Sequence, residues 1–237
     1  MSDGKGTKAM FAVRHFDREL ILLCLRWYLR YKLSLQDLVA MMAERELELA
    51  HTAIMRWFQR YVPEFEKSWA RYAHKVGRSW RVDQTYLKVR GRWVYLYRAV
   101  DKEVNTAYFR PSPKSHVSAA KAFFRKALRT HGRAPISITL DGYAASHRAV
   151  REIPNDDLWK HPKLRTLKYL NNLVEQDHSG IKSRTGPMLG FKRFNYVATT
   201  IAGVELLRRI HHGQFTFGHL RLKDQAAPAI WNTVLAA

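Results

Sequence analysis

Around Trp80 the apolar residues of this chain change their spacing, and that change limits the fold more than any other feature. From residue 17 to 66 they recur at helical intervals; from 80 to 111 they sit in short runs rich in Val, Tyr, Thr and Trp. The runs are WRVDQTYLKV, RWVYLYRAV and VNTAYFRP, with turn signals at Gly91 and at Asp101-Lys102-Glu103. Runs of this kind, bounded by turn residues, predict three antiparallel strands in a meander. Helical spacing returns in SAAKAFFRKALRTHG (118–132), which stops at Gly132. A short apolar strand, PISITLD (135–141), then ends on an acid, and AASHRAVREI is helical again. An extended piece around Leu164 to Tyr169, a helix holding NNLVEQDHSGIKSR (171–184) and a closing apolar helix, VATTIAGVELLRRIHHG, complete the pattern.

Strand, strand, strand, helix, strand, helix, strand, helix is the order of an RNase H-like (retroviral-integrase-like) α/β domain with a mixed five-stranded sheet. In that order the first and fourth strands lie side by side at the centre. Asp83 on the first and Asp141 at the end of the fourth are then neighbours, and Glu175 sits on a helix that packs against them. Seven helical residues return to within about 20° of the start, so Glu175 and Lys182 share a helix face. Asp177, two positions from Glu175, points away from that face. Three carboxylates in a basic chain suit phosphodiester chemistry. Two Mg²⁺ ions, for which Mn²⁺ can substitute, need a few oxygen ligands and keep several waters; paired metals activate one oxygen and stabilise another. Taken singly, Asp141 before Gly142 also suits a turn or helix cap, and Asp83 an edge-strand charge. Asp101 reads as a hairpin-turn residue, and His211 and His212 end a helix with no third ligand nearby.

Ahead of the strands, residues 17–30, DRELILLCLRWYLR, are apolar at Leu20, Leu23, Cys24 and Trp27, one face of a helix. Ser34 and Asp37 form a capping-box-like pair before a second helix with Leu35, Leu38, Val39 and Met42 on one face. In the third segment, HTAIMRWFQRYVP, Ile54, Trp57, Phe58 and Tyr61 face inward and Pro63 marks the stop. Its opposite face carries Thr52, Met55, Arg56 and Gln59, with Arg60 beside them, residues suited to reading base edges in a major groove. A plain three-helix bundle with a solvated face fits the helical pattern equally well; the charge of the chain favours the DNA reader.

Lys plus Arg number 41 against 20 for Asp plus Glu, a net charge of +21, so a polyanionic partner is expected and double-stranded DNA is the first candidate. The longest early apolar run, LILLCL (20–25), meets Arg26 and is too short to span a bilayer. No basic-then-apolar leader opens the chain, and the expected location is the cytoplasm. A lone cysteine, Cys24, excludes an internal disulfide and a Cys-rich zinc site and reads as a small buried hydrophobe. The expected organisation is a basic flexible N-terminus (1–16), a helix-turn-helix DNA-binding domain (17–66), a linker (67–79), the RNase H-like domain (80–215) and a C-terminal tail (216–237).

The stretches WRVDQTYLKVRGRWVYLYRAVD, ITLDGYAASHRAV, KYLNNLVEQDHSGIKSR and MLGFKRF, with the N-terminal FDRELILLCLRWYLRYKLSLQDLVAMMAERELELAHTAIMRWFQRY, carry a resemblance. Over nearly its whole length the chain resembles the DDE transposases of the insertion-sequence-six family of bacterial mobile elements. The resemblance implies an RNase H-like catalytic domain with two Mg²⁺ ions, and cleavage and strand transfer of DNA at terminal inverted repeats, with cointegrates as products. It puts the family's three acids on Asp83, Asp141 and Glu175, and its basic residue seven positions after the third acid on Lys182. Lys168, Arg184, Lys192 and Arg193 are expected to join Lys182 along the DNA, and paired ends imply at least a homodimer. The chain departs from the family pattern at Gln84 (commonly Glu), Glu46 (a turn Gly), Ala50 (an Asp before the third helix) and Met55 (a Tyr). Two other readings fit the residues: a non-catalytic helix-turn-helix regulator whose second domain serves assembly, and an RNase H-like nuclease without strand transfer. All three acids at their expected points favour the transposase.

Overall fold

The structure, a computed structural model, describes residues 16–154, 159, 162–166, 193–216 and 231. Its elements in chain order are α1 (Arg18–Arg30), α2 (Leu35–Ala43), α3 (His51–Ala70), β1 (Ser79–Val89), β2 (Arg92–Val100), β3 (Thr106–Ser112), α4 (Val117–His131), β4 (Ser137–Leu140), α5 (Ala144–Glu152), β5 (Lys163–Thr166) and α6 (Phe194–His211). The chain divides into two compact units, Met1–His74 with Ala202–Ala237, and Lys75–Ile201. Among the described residues no helix is long and apolar enough to cross a membrane.

In the first unit three amphipathic helices form, but α1 buries a neighbouring face: of the expected Leu20, Leu23, Cys24 and Trp27 only Cys24 is buried and the others are half-buried. Ile21, Leu25 and Leu29 of α1, Leu38 and Met42 of α2, and Ile54, Phe58, Tyr61 and Phe65 of α3 are buried, and the rings of Tyr28 and Phe58 meet edge to face. Cys24 is buried, which pushes its thiol up to about 11 and leaves it unreactive. The expected capping box forms: Ser34 Oγ accepts from the Asp37 N–H and Asp37 Oδ2 from the Ser34 N–H. Gly203 on α6 permits close helix packing, since a β-carbon there would stand 2.6 Å from Leu29 Cδ2.

Pro63 does not stop α3, contrary to the sequence reading; the helix continues to Ala70. A proline inside a helix costs about 3 kcal/mol. Beyond it, however, Phe65 and Trp69 keep the apolar face going and are fully buried, and each such side chain contributes about 1.5–3 kcal/mol. Residues 67–74, expected as the start of a linker, instead finish α3 and pair with the segment after α6. Ala73 bridges Phe215, and the His74 N–H donates to the Gln214 carbonyl at 2.9 Å.

Both departures in the α2–α3 connection have structural consequences. Glu46 lies at φ 59°, the left-handed region that favours glycine. Ala50 occupies the N-cap of α3 and supplies no side-chain hydrogen bond. Glu46→Gly and Ala50→Asp are each expected to raise stability by about 1 kcal/mol. Together they should raise the melting temperature by about 4–8 °C, measured by calorimetry or circular dichroism.

The first unit also carries a charged cluster that sequence spacing does not reveal. Glu66 of α3 is half-buried beside Glu205 and Arg209 of α6, and Arg208 lies 3.7 Å from Glu205. Burial first, then the Glu205 charge, push the Glu66 carboxyl up to about 7, with Arg209 opposing. Below the ordinary carboxyl range both folded and unfolded chains hold this proton. As pH rises towards 7 the unfolded chain releases it first, so stability falls through that window and then levels off. Glu66→Gln should therefore be more stable than the wild type at pH 8, by up to about 3 kcal/mol, and indistinguishable near pH 4.

The second unit is an α/β layer structure around a mixed five-stranded sheet, ordered β3-β2-β1-β4-β5. β1, β2 and β3 form the antiparallel meander; β4 runs parallel to β1 and to β5. The β1–β2 hairpin closes through Arg90 (φ 49°) and Gly91 (φ 76°), the two positive values that a two-residue type I′ turn requires. Trp80, Val82, Tyr97 and Ala99 on one sheet face pack with Phe123, Phe124 and Leu128 of α4 and Ala149 and Val150 of α5. Asp101 is a turn residue, as its place in the sequence suggests. Its buried carboxylate accepts from the N–H groups of Gly77, Glu103 and Asn105, and from the Asn105 side-chain amide.

Candidate active site

The register of one strand pair builds the site. Parallel strands β1 and β4 match Ser79 with Ser137 through to Val82 with Leu140, where β4 ends. The next residue on each chain is an acid: Asp83 on β1, which continues, and Asp141 after β4. Their carboxyl groups come within hydrogen-bonding reach of each other. Asp83 is buried and Asp141 half-buried. The Gln84 N–H donates to Asp83 Oδ1 at 2.6 Å, and the Tyr143 N–H donates to Asp141 Oδ1 at 3.2 Å. Tyr143 is the N-cap of α5, so the Asp141 carboxylate sits at the positive end of that helix.

Burial, and then the Asp83 charge, hold the Asp141 carboxyl above its ordinary range; the Tyr143 N–H and the nearby His147 pull it back. Two carboxylates pressed together away from water repel each other unless a proton or a cation lies between them. Hard oxygen donors in this arrangement fit a divalent cation such as Mg²⁺. Arg98, directly across from Asp83 on β2 and fully buried, adds a fixed positive charge on the same sheet face.

A hydrogen-bonded chain ties the segments that carry the two acids. Gln84 Nε2 donates to Ser115 Oγ at 2.6 Å, and Ser115 Oγ meets the Tyr143 hydroxyl at 2.6 Å. The same hydroxyl donates to the Ser115 carbonyl, also at 2.6 Å. On α5, His147 Nε2 lies 2.7 Å from the Asp141 carbonyl oxygen. Gln84, one of the departures from the family pattern, is thus a donor here, a role an ionised Glu could not fill. Sequence spacing did not single out Ser115, Tyr143 or His147. The signal was the local string DGYAASH, in which Tyr143 and His147 follow Asp141 by two and six positions.

Of the other expected site residues, Glu175, Lys182, Lys168, Arg184 and Lys192 lie outside the described residues. Among the described residues no group of three His, Cys, Asp or Glu side chains is gathered for a metal. Arg193 is exposed at the start of α6, its guanidinium over the Tyr196 ring. On α3, Thr52, Arg56 and Arg60 are exposed and Met55 and Gln59 half-buried, opposite the buried Ile54, Trp57, Phe58 and Tyr61. Arg56 Nε bonds back to the Thr52 carbonyl at 3.3 Å.

The chain is similar to several known proteins. A family model described as a DDE domain matches residues 77–214. The transposase for the insertion sequence-like element IS431mec of Staphylococcus aureus is 32% identical over 203 residues, 85% of this chain and 88% of that protein. The transposase for insertion sequence element IS257 in transposon Tn4003, also from Staphylococcus aureus, is 31% identical over the same shares. Among solved structures, a chain of the simian T-cell lymphotropic virus intasome in complex with the PP2A regulatory subunit B56 gamma covers 68% of this chain and 56% of its own. That similarity has a TM-score of 0.41 at 16% identity. The matched domain spans the strands bearing Asp83 and Asp141, and the relatives match nearly end to end. The chain belongs to the insertion-sequence-six family of DDE transposases, polynucleotidyl transferases that depend on divalent metal.

Proposed function

We propose that this transposase binds the terminal inverted repeats of its element through α1–α3 and cuts and joins DNA at Asp83, Asp141 and Glu175. In this reading residues 17–66 form a helix-turn-helix domain, with Thr52, Met55, Arg56, Gln59 and Arg60 facing the major groove. Residues 80–215 form the RNase H-like catalytic domain, and Lys168, Lys182, Arg184, Lys192 and Arg193 follow the phosphates. The observation that carries the reading is the β1–β4 register, which ends with two acids side by side where β4 stops in the middle of the sheet. Asp83, Asp141 and Glu175 would hold two Mg²⁺ ions, with Mn²⁺ as a substitute. The chemistry supplied by such cations is activation of an attacking oxygen and stabilisation of a leaving one.

The protein's own groups do the rest. The Gln84 and Tyr143 N–H groups fix the two carboxylates in place, and the Gln84–Ser115–Tyr143 chain holds their segments in register. Lys182 contacts a phosphate next to the reacting one, and a homodimer or larger assembly pairs the two ends. Cointegrates are the expected product. The experiment is a joining assay with labelled inverted-repeat DNA and a supercoiled target. Joined product should form with Mg²⁺ or Mn²⁺ and vanish with EDTA; joining that survives the chelator overturns the reading.

A further inference from the structure

The β1–β2 hairpin carries aromatic side chains where burial cannot account for them. Tyr86 is 53% exposed and Trp93 55% exposed, and their rings meet edge to face with centroids 5.3 Å apart. Lys88 is paired with Trp93 across the strands and holds its ammonium 5.7 Å from the Trp93 ring. Lys88, Arg90 and Arg92 are exposed, and the chain holds no acid from Gln84 to Val100. The register puts Gln84, Tyr86 and Lys88 on the same sheet face as Trp93, Tyr95 and Tyr97. β4 ends opposite Val82, so the hairpin runs on beyond the acid pair by about 20 Å at 3.3 Å per residue. Asp83 faces the other side of the sheet. The aromatic stripe connects to the acids by another route, through Gln84, Ser115 and Tyr143 to Asp141.

We infer that Trp93 and Tyr86 form a stacking platform for an unpaired base of the DNA strand that leaves the reacting end. Exposed aromatic rings among cations, on a hairpin with no acid from Gln84 to Val100, are the pattern that binds single strands: rings stack on bases and Lys and Arg follow the phosphates. A second copy of this chain is a poorer occupant, since two hairpins of the same charge would repel and the chain carries +21. Duplex DNA alone offers the rings no base face. The inference rests on DNA being the substrate of the adjoining acids.

The test uses the full chain in EDTA, so that no cleavage intervenes, and two probes. One is a blunt duplex of the element end; the other is the same duplex with a short 3′ overhang containing 2-aminopurine. The wild type should prefer the overhang probe and quench its fluorescence. Trp93→Ala should bind the overhang probe about tenfold more weakly, lose the quenching, and keep its duplex affinity within about twofold. Trp93→Phe should retain the preference. A wild type with no preference and no quenching overturns the platform while leaving the DNA reading intact. A Trp93→Ala protein that keeps the preference, or that weakens on both probes equally, overturns it too. A fall in oligomer mass in Trp93→Ala, read by light scattering, would make the patch a contact between copies. Failure of the wild type to bind either probe would sink the DNA reading itself.

Discussion

Asp141→Asn is expected to abolish cleavage and joining, by about a thousandfold or more, while DNA affinity stays close to that of the wild type. Asparagine keeps the shape of the side chain and an oxygen that can accept from the Tyr143 N–H. It removes the negative charge that a divalent cation requires. The same substitution relieves the repulsion between two carboxylates that meet at the end of β4. The metal-free variant should therefore melt no lower than the wild type, and an inactive protein of lower stability would speak for a structural role instead. Asp83→Asn should behave alike in activity. The double variant should be no worse than either single one, because groups acting as a unit lose their function together.

Glu175→Gln is expected to leave end binding intact and remove cleavage and joining to a similar degree, whereas Asp177→Asn keeps substantial activity. Both residues lie outside the described residues, and the expectation comes from helical geometry. On the helix that the sequence pattern predicts over 171–184, Glu175 and Lys182, seven apart, would share a face within about 20°, and His178 and Ser179 at i+3 and i+4 would line it. On the same expected helix Asp177 would lie about 200° around from Glu175 at 3.6 residues per turn. A joining assay on the two variants separates them. An inactive Asp177→Asn beside an active Glu175→Gln would reverse the assignment.

Much of the fold was legible because its signals are local. The alternating runs either side of Gly91, the αL stop at Gly132 and the acid at the end of PISITL each declare an element within a few residues. The pairing of Asp83 with Asp141 followed from strand order, since a short fourth strand running beside the first ends next to Asp83. The left-handed Glu46 and uncapped Ala50 were legible as departures from a pattern whose physical reason is the turn they occupy. Pro63 misled because a propensity argument sees one residue, whereas the buried faces of Phe65 and Trp69 act on the whole helix. The Gln84–Ser115–Tyr143 chain and the Glu66–Glu205–Arg209 cluster were hidden for another reason. Each joins residues far apart in sequence through side-chain geometry, and no periodicity marks such contacts.

Asp83, within β1, and Asp141, just after β4, are expected to form the metal-binding centre of the reaction, and that role can be measured. It is tested most directly by titrating Mn²⁺ into the full chain, with free ion followed by electron paramagnetic resonance. The wild type should take up Mn²⁺, more tightly with inverted-repeat DNA present, and Asp83→Asn and Asp141→Asn should each lose that uptake while remaining folded. Undiminished Mn²⁺ binding in both variants would show that the metal is held elsewhere.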